Sequence, residues 1–178
     1  KGNLGRGVIK ISAVKPEHYR IVAPAMVFNN QEDVKEAYHK GLLNRDVVVV
    51  VRFQGPKANG MPELHALTPI LSNIQDMGFK VALITDGRMS GASGKVPSAI
   101  HVTPEAIDGG TISKIQDGDK IEIDANIGKL NLNEDYSNRK NSKLEKDLNV
   151  GFGRNLFSLL RKNAISAESG AGLNLIND

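Results

Sequence analysis

The chain contains no cysteine, which excludes disulfides, thiolate-held zinc and any iron–sulfur cluster ligated by its own residues. Long hydrophobic runs are missing too. The longest, Val47–Val51, is closed by Asp46 and Arg52 and falls far short of the ~18 apolar residues a spanning helix requires. A soluble, cytoplasmic protein with no membrane partner is expected. Aromatic residues make up 4% of the chain and the net charge is +3. Basic and acidic residues interleave, as from Lys140 to Asp147, in the manner of a solvated face, so nucleic-acid binding is not expected. The chain opens Lys1-Gly2-Asn3 with neither an initiator Met nor a basic-then-apolar leader, which suggests a fragment or a processed chain.

The 178 residues, 40% hydrophobic and 24% charged, suit one globular domain with one sizeable core. Short strands are predicted over Val8–Val14 and Tyr19–Val22. A helix should follow an Asn30 cap, with Val34, Ala37, Tyr38 and Leu42 at helical spacing and Gly41 as its stop. Val47–Val51 is continuous, short and β-branched, the composition of a strand buried on both faces. Two Gly and two Pro between Gln54 and Glu63 predict an irregular loop. A helix is expected from about Pro62 to Met77 on the stripe Leu64, Leu67, Leu71 and Ile74, then a second buried strand over Lys80–Ile84. Another Gly-rich loop, Thr85–Lys95, follows directly. Two such loops after two buried strands imply one shared crevice at the strands' carboxyl ends. Downstream, short strands are predicted over Ser98–Val102, Thr111–Ile115, Lys120–Ile123 and Ile127–Leu132, with a turn at Asp117-Gly118-Asp119. A last amphipathic helix should turn Leu156, Leu159 and Leu160 to the core and leave Arg154, Arg161 and Lys162 in water.

The tract Gly87–Lys95 superficially suggests a phosphate-binding P-loop. The spacing defeats that reading: the first Gly would fall on Met89, and Val96 stands where the Ser or Thr hydroxyl is needed. No G-x-G-x-x-G opens a helix after a strand, so a dinucleotide site is equally unsupported. Ser90 lies between Arg88 and Gly91, where a backbone can approach a ligand closely and display a nucleophile or base; equally, it can be a turn serine capping the next segment. Glu63 can serve a helix N-terminus or act as an oxygen ligand to a hard cation such as Mg²⁺. His65 and His101 can be partly buried core histidines.

With those residues in place, the sequence resembles the dihydroxy-acid/6-phosphogluconate dehydratase family, over almost its whole length. The most specific stretches are Arg52-Phe53-Gln54-Gly55-Pro56-Lys57-Ala58-Asn59-Gly60-Met61-Pro62-Glu63-Leu64-His65 and Thr85-Asp86-Gly87-Arg88-Met89-Ser90-Gly91. The resemblance implies an α/β, swivelling-type, β-barrel-like domain with flanking helices, residues 1–178 being the carboxyl-terminal domain of a larger dehydratase. The absent amino-terminal domain would carry the cysteines of an iron–sulfur cluster, which in the family acts as Lewis acid on the leaving hydroxyl. It also implies Mg²⁺ with Glu63 as a ligand, Ser90 as the base at C2 and a homodimeric hydro-lyase. Ala58-Asn59-Gly60, Met89, His65 and Ser93-Gly94-Lys95-Val96-Pro97 look like the branch that takes 6-phospho-D-gluconate in the Entner–Doudoroff pathway. The alternatives are the branch of branched-chain amino-acid synthesis and a non-catalytic ligand-binding or interaction domain of the same fold. Arg88 and Mg²⁺ would stabilise negative charge built beside the substrate carboxylate. Lys95 is a candidate for the substrate phosphate, with Lys57 and His65 as rivals.

Overall fold

A computed structural model describes residues 1–90, 94–144, 150–151 and 153–174. Seven strands, β1 (Arg6–Lys10), β2 (Arg20–Phe28), β3 (Val47–Val51), β4 (Val81–Thr85), β5 (Ser98–Thr103), β6 (Lys120–Asp124) and β7 (Lys129–Leu132), form one sheet. Their order is β1-β5-β4-β3-β2-β6-β7. Strands β2 to β5 run parallel, while β1, β6 and β7 add antiparallel to their neighbours. The outer strands nearly meet. Asn3, just ahead of β1, donates its side-chain amide to the Leu132 carbonyl at 2.7 Å and accepts from the Leu132 amide at 2.8 Å. One side chain thus satisfies backbone that an open edge would expose, and the sheet becomes the barrel-like α/β domain that was expected.

β3 shows why a run of five valines suits this place. Val48 and Val50 point into the barrel with Ile21, Ala23, Ile84 and Ile121. Val47, Val49 and Val51 point outward, under two helices, α1 (Gln31–His39) and α3 (Leu67–Asp76), against Val34, Leu67, Leu71 and Ile74. All five are fully buried, as a parallel strand covered on both faces must be. Asn30 caps α1 by accepting from the Asp33 amide at 2.9 Å, as the sequence predicts.

Several boundaries differ from expectation, each for a local reason. β1 occupies Arg6–Lys10 and β2 runs on to Phe28, where its last four residues pair with β3. The first Gly-rich loop contains a short helix, α2 (Pro56–Asn59). The helix expected from Pro62 starts at Leu67, because Glu63 bridges Arg88 in extended pairing and the Leu64 amide donates to the Arg88 carbonyl at 3.2 Å. Thr111–Ile115 is not a strand: Thr111–Lys114 forms a 3₁₀ turn, whose period of three suits the burial of Ile112 and Ile115 together. β7 begins at Lys129, after a turn at Gly128 whose φ of 63° extended backbone does not allow. The last helix, α4 (Ser158–Lys162), presents the opposite face from the one predicted. Leu156 and Leu159 are 73% and 65% exposed, whereas Arg161 is 9% exposed and donates Nη2 to the Arg154 carbonyl at 3.1 Å.

Candidate active site

Because β3 and β4 are adjacent and parallel, the loops leaving their carboxyl ends emerge side by side. A buried carboxylate ties them together. Asp86, at the end of β4, accepts from the amides of Phe53 (3.1 Å), Gln54 (2.8 Å) and Ala106 (2.9 Å). Burial pushes its pKa up, and the backbone donors oppose that. Gly87 has to be a glycine for this approach, since a Cβ there would stand 2.6 Å from the Gln54 Cβ.

Beyond Gly87 the second loop grips the first. Arg88 donates Nε to the Met61 carbonyl at 2.7 Å and Nη1 to Glu63 Oε2 at 2.6 Å. The other oxygen, Glu63 Oε1, accepts from the Ser90 amide at 2.5 Å. One carboxylate therefore brings together Glu63, Arg88 and Ser90, which lie 27 residues apart at their extremes. Glu63 stands four residues ahead of α3 and bonds a neighbouring loop, so the helix-terminus role does not hold. Ser90 is half-buried, and the 91–93 segment that it would cap lies outside the described residues.

Two residues that sequence reasoning did not single out for chemistry stand at this site. Lys10, the last residue of β1, is 6% exposed; its ammonium lies 3.4 Å from the Gly94 carbonyl. Burial pulls its pKa down, while the charge of Glu63 pulls it back up. No local pattern marks it, since it reaches the site through strand order alone. His101 adopts a left-handed backbone (φ 56°) on β5, and its amide donates to the Gly87 carbonyl at 2.9 Å. Burial first, and the neighbouring Arg88 second, hold its imidazole below the usual pKa and keep it neutral near pH 7. It is partly buried, as expected.

Among the described residues no hydrogen bond draws the candidate phosphate contacts into this cluster. Lys57 pairs with Asp108 at 2.6 Å and Lys95 with Asp76. His65 is exposed, so it is not a core histidine. Beside the Glu63 loop runs a groove of about 520 Å³, lined by Asn59, Gly60 and Met61 on one side and by Arg154, Phe157 and Leu160 on the other.

The donors define what this chain can hold. Glu63 uses two of its carboxylate's roughly four acceptor positions, leaving hard oxygen capacity that fits Mg²⁺, an ion commonly held by one or two carboxylates plus water and substrate. Among the described residues no group of three or more His, Asp or Glu is placed to hold a metal ion, so further ligands would come from elsewhere. An iron–sulfur cluster does not fit this chain, which has no thiolate. Among the described residues, no helix is long and apolar enough to cross a membrane.

The fold is thus a barrel-like α/β domain in which two glycine-rich loops join a carboxylate, a guanidinium and a serine amide. Comparison with known proteins supplies the family. Residues 1–171 match the family described as dihydroxy-acid/6-phosphogluconate dehydratase C-terminal, and the chain belongs to that family. It is 55% identical over 174 residues to a phosphogluconate dehydratase of Pseudomonas aeruginosa, covering 96% of this chain and 29% of that protein. It is 57% identical to the phosphogluconate dehydratase of Escherichia coli (strain K12), with the same coverage. A dihydroxy-acid dehydratase of Caldanaerobacter subterraneus is 46% identical over 134 residues, 74% of this chain and 24% of that protein. The chain thus spans less than a third of the length of these relatives.

Proposed function

We propose that this chain is the carboxyl-terminal domain of a cytoplasmic, homodimeric hydro-lyase that converts 6-phospho-D-gluconate to 2-dehydro-3-deoxy-6-phosphogluconate. The observation that carries the reading is the Glu63 carboxylate joined at once to Arg88 and to the Ser90 amide. Ser90 Oγ, as alkoxide, takes the proton from C2; the C3 hydroxyl leaves with its bonding electrons and takes up that proton to become water, which restores the alkoxide, and the resulting enol tautomerises to the 2-keto acid. Removing that proton builds negative charge next to the substrate carboxylate. Arg88, whose side chain is half-exposed, faces that charge, and the ammonium of Lys10 adds to the positive field. Mg²⁺, when bound at Glu63, would supply further positive charge to the carboxylate end of the substrate. The same field favours an alkoxide at Ser90, otherwise a weak base at neutral pH. The cluster implied by the family belongs to the amino-terminal domain, and no step assigned to this chain passes through it. Lys95 is assigned to the phosphate, with Lys57 and His65 as alternatives. Its pairing with Asp76 is solvent-exposed, and such pairs contribute at most about 1 kcal/mol, so exchanging the carboxylate for a phosphate is easy. Higher identity and coverage favour the phosphogluconate branch over the dihydroxy-acid branch.

The test is made in the full-length enzyme. Ser90→Ala should lower kcat by about 10² or more with KM largely kept, and should abolish exchange of the C2 proton with solvent deuterium wherever the wild type shows it. Glu63→Gln should raise the Mg²⁺ requirement and recover partly at high Mg²⁺, because a neutral amide is a poorer ligand for a hard cation. Near-normal kcat in Ser90→Ala would place the base elsewhere, and preferred turnover of a branched-chain dihydroxy acid would favour the other branch.

A further inference from the structure

Glu105 is a carboxylate that the reaction as described does not use, and it is buried to 4% exposure beneath the loop that carries Glu63. Its Oε1 accepts from the Lys57 amide and its Oε2 from the Ala58 amide, each at 3.1 Å. Gly55 packs directly on it, with so little room that a Cβ at Gly55 would stand 2.3 Å from Oε2. α2 then ends on Gly60 in the left-handed region (φ 71°), and Met61 follows at φ 54°. Only two residues further on stands Glu63, and the Met61 carbonyl already receives Arg88 Nε.

We propose that Glu105 is a positioning residue for this site: its carboxylate holds the first turn of α2 and thereby sets where Met61 and Glu63 stand against Arg88 and Ser90. Asp86 holds Phe53 and Gln54 just upstream, so two buried carboxylates grip four residues between positions 53 and 58, with Gly55 wedged between their attachment points. Two oxygens on two successive amides fix both the height and the tilt of the turn, which a single bond would not do. The consequence for metal rests on Glu63 being a metal ligand.

The clamp should respond to pH, because its environment resists ionisation. Asp86, from the end of β4, and Asp108, three residues along Glu105's own segment, both face it with like charge. Lys57 on α2 offers its amide, but its ammonium is paired with Asp108. Burial chiefly, with the two acids adding and the two amides opposing, pushes the Glu105 pKa to about 7. Above that pH both oxygens accept; below it, one becomes a hydroxyl facing an N–H, and the turn is held by the other.

The test uses full-length enzyme and two readouts that do not depend on turnover: hydrogen exchange of the 53–62 peptide, and Mg²⁺ affinity by calorimetric titration. Glu105→Gln, of the same shape, should raise exchange at pH 8 by about tenfold and weaken Mg²⁺ binding by about tenfold or more, the range seen when groups orienting a metal ligand are removed. Gly55→Ala, which presses on the same carboxylate from the other side, should reproduce both effects if Glu105→Gln folds poorly. Unchanged exchange in 53–62 would overturn the inference. Loss of Mg²⁺ affinity in Glu63→Gln but not in Glu105→Gln would overturn it alone, whereas no loss in either would overturn the ligand reading on which it rests.

Discussion

Replacing Gly55 by alanine puts a methyl carbon 2.3 Å from Glu105 Oε2, 2.7 Å from its Cδ and 3.0 Å from its Cβ. The backbone there (φ −70°, ψ 177°) suits alanine, so any penalty comes from space alone. Relief requires the carboxylate to retreat by about 1 Å to reach van der Waals distance, and it cannot retreat while it accepts from Lys57 and Ala58. A hydrogen bond to a charged acceptor contributes about 1.5–3 kcal/mol, and overpacking strain adds about 1–3 kcal/mol. Losing one bond with modest strain gives a destabilisation of about 3 kcal/mol. In urea unfolding of the 178-residue chain, with m near 2 kcal/mol/M, the midpoint should fall by about 1.5 M at unchanged m. Gly60→Ala is the contrast. Nothing lies within 4 Å of its Cβ, but its φ is 71°, so it should lose about 1–2 kcal/mol from backbone conformation alone. The decisive measurement is the pair: in a Glu105→Ala background, where only the 3.0 Å contact with Cβ is left, Gly55→Ala should lose most of its penalty, a strong departure from additivity, while Gly60→Ala should keep its own. Gly55→Ala within about 0.5 kcal/mol of wild type, or equally damaging in both backgrounds, would refute the packing of Glu105 against this loop.

Glu105 also makes a pH prediction. Its folded pKa of about 7 lies above the ordinary 4.5, so between those values the native state keeps a proton the unfolded chain has released, and stability falls as pH rises through the window. The difference in unfolding free energy between wild type and Glu105→Gln should shift by up to about 3 kcal/mol from pH 4.5 to pH 7, and a flat difference would contradict it. In the full-length enzyme, Lys95→Ala should raise KM for 6-phosphogluconate much more than for unphosphorylated gluconate; equal losses would mean that Lys95 does not read the phosphate. The chain alone should unfold in one cooperative thermal transition yet show no dehydratase activity, because it lacks thiolate ligands. Turnover by the isolated chain would sink the split-site reading.

The parts legible in sequence are those whose cause is local. Five consecutive valines announce a strand covered on both faces, an Asn with Asp three residues on announces a helix cap, and two glycine-rich loops after two buried strands announce loops that meet beyond the strands' carboxyl ends, although the groove beside them is shared with the α4 segment and not with the second loop. Glu63, Arg88 and Ser90 were nameable because each sits inside a long, specific stretch. What sequence could not supply depends on pairings across the chain. Asn3 closes the sheet onto Leu132 across 129 residues, and Lys10 reaches the site because β1 lies beside β5. Glu105 reads as an ordinary acid after a proline until its amide partners at Lys57 and Ala58, 47 and 48 residues away, are known. Thr111–Ile115 resembles a short strand in composition, while the spacing of its apolar residues at positions 112 and 115 belongs to a 3₁₀ turn.

The segment ending in α4 carries the largest reversal, and it can be tested by substitution. A stripe of Leu156, Leu159 and Leu160 with arginines between them is the ordinary signature of a surface helix with its leucines inward. That argument assumes the helix is long enough for the apolar stripe to decide its orientation. α4 has five residues, little more than one turn, so the neighbouring contacts decide instead: Arg154 donates Nη1 to Asn59 Oδ1 at 2.8 Å, and Arg161 donates to the Arg154 carbonyl. Polar bonds to the α2 end of the Glu63 loop thus turn the arginines in and the leucines out. In the 178-residue chain Leu159→Ser, at a side chain 65% exposed, should change unfolding free energy by less than about 0.5 kcal/mol. Arg161→Ala should lose about 1–2 kcal/mol, since both its hydrogen bond and the packing of its stem in the groove disappear. Chemical denaturation of the two variants side by side decides the orientation. A loss above 2 kcal/mol for Leu159→Ser with none for Arg161→Ala would restore the inward leucine face and remove the arginines from the groove beside Met61.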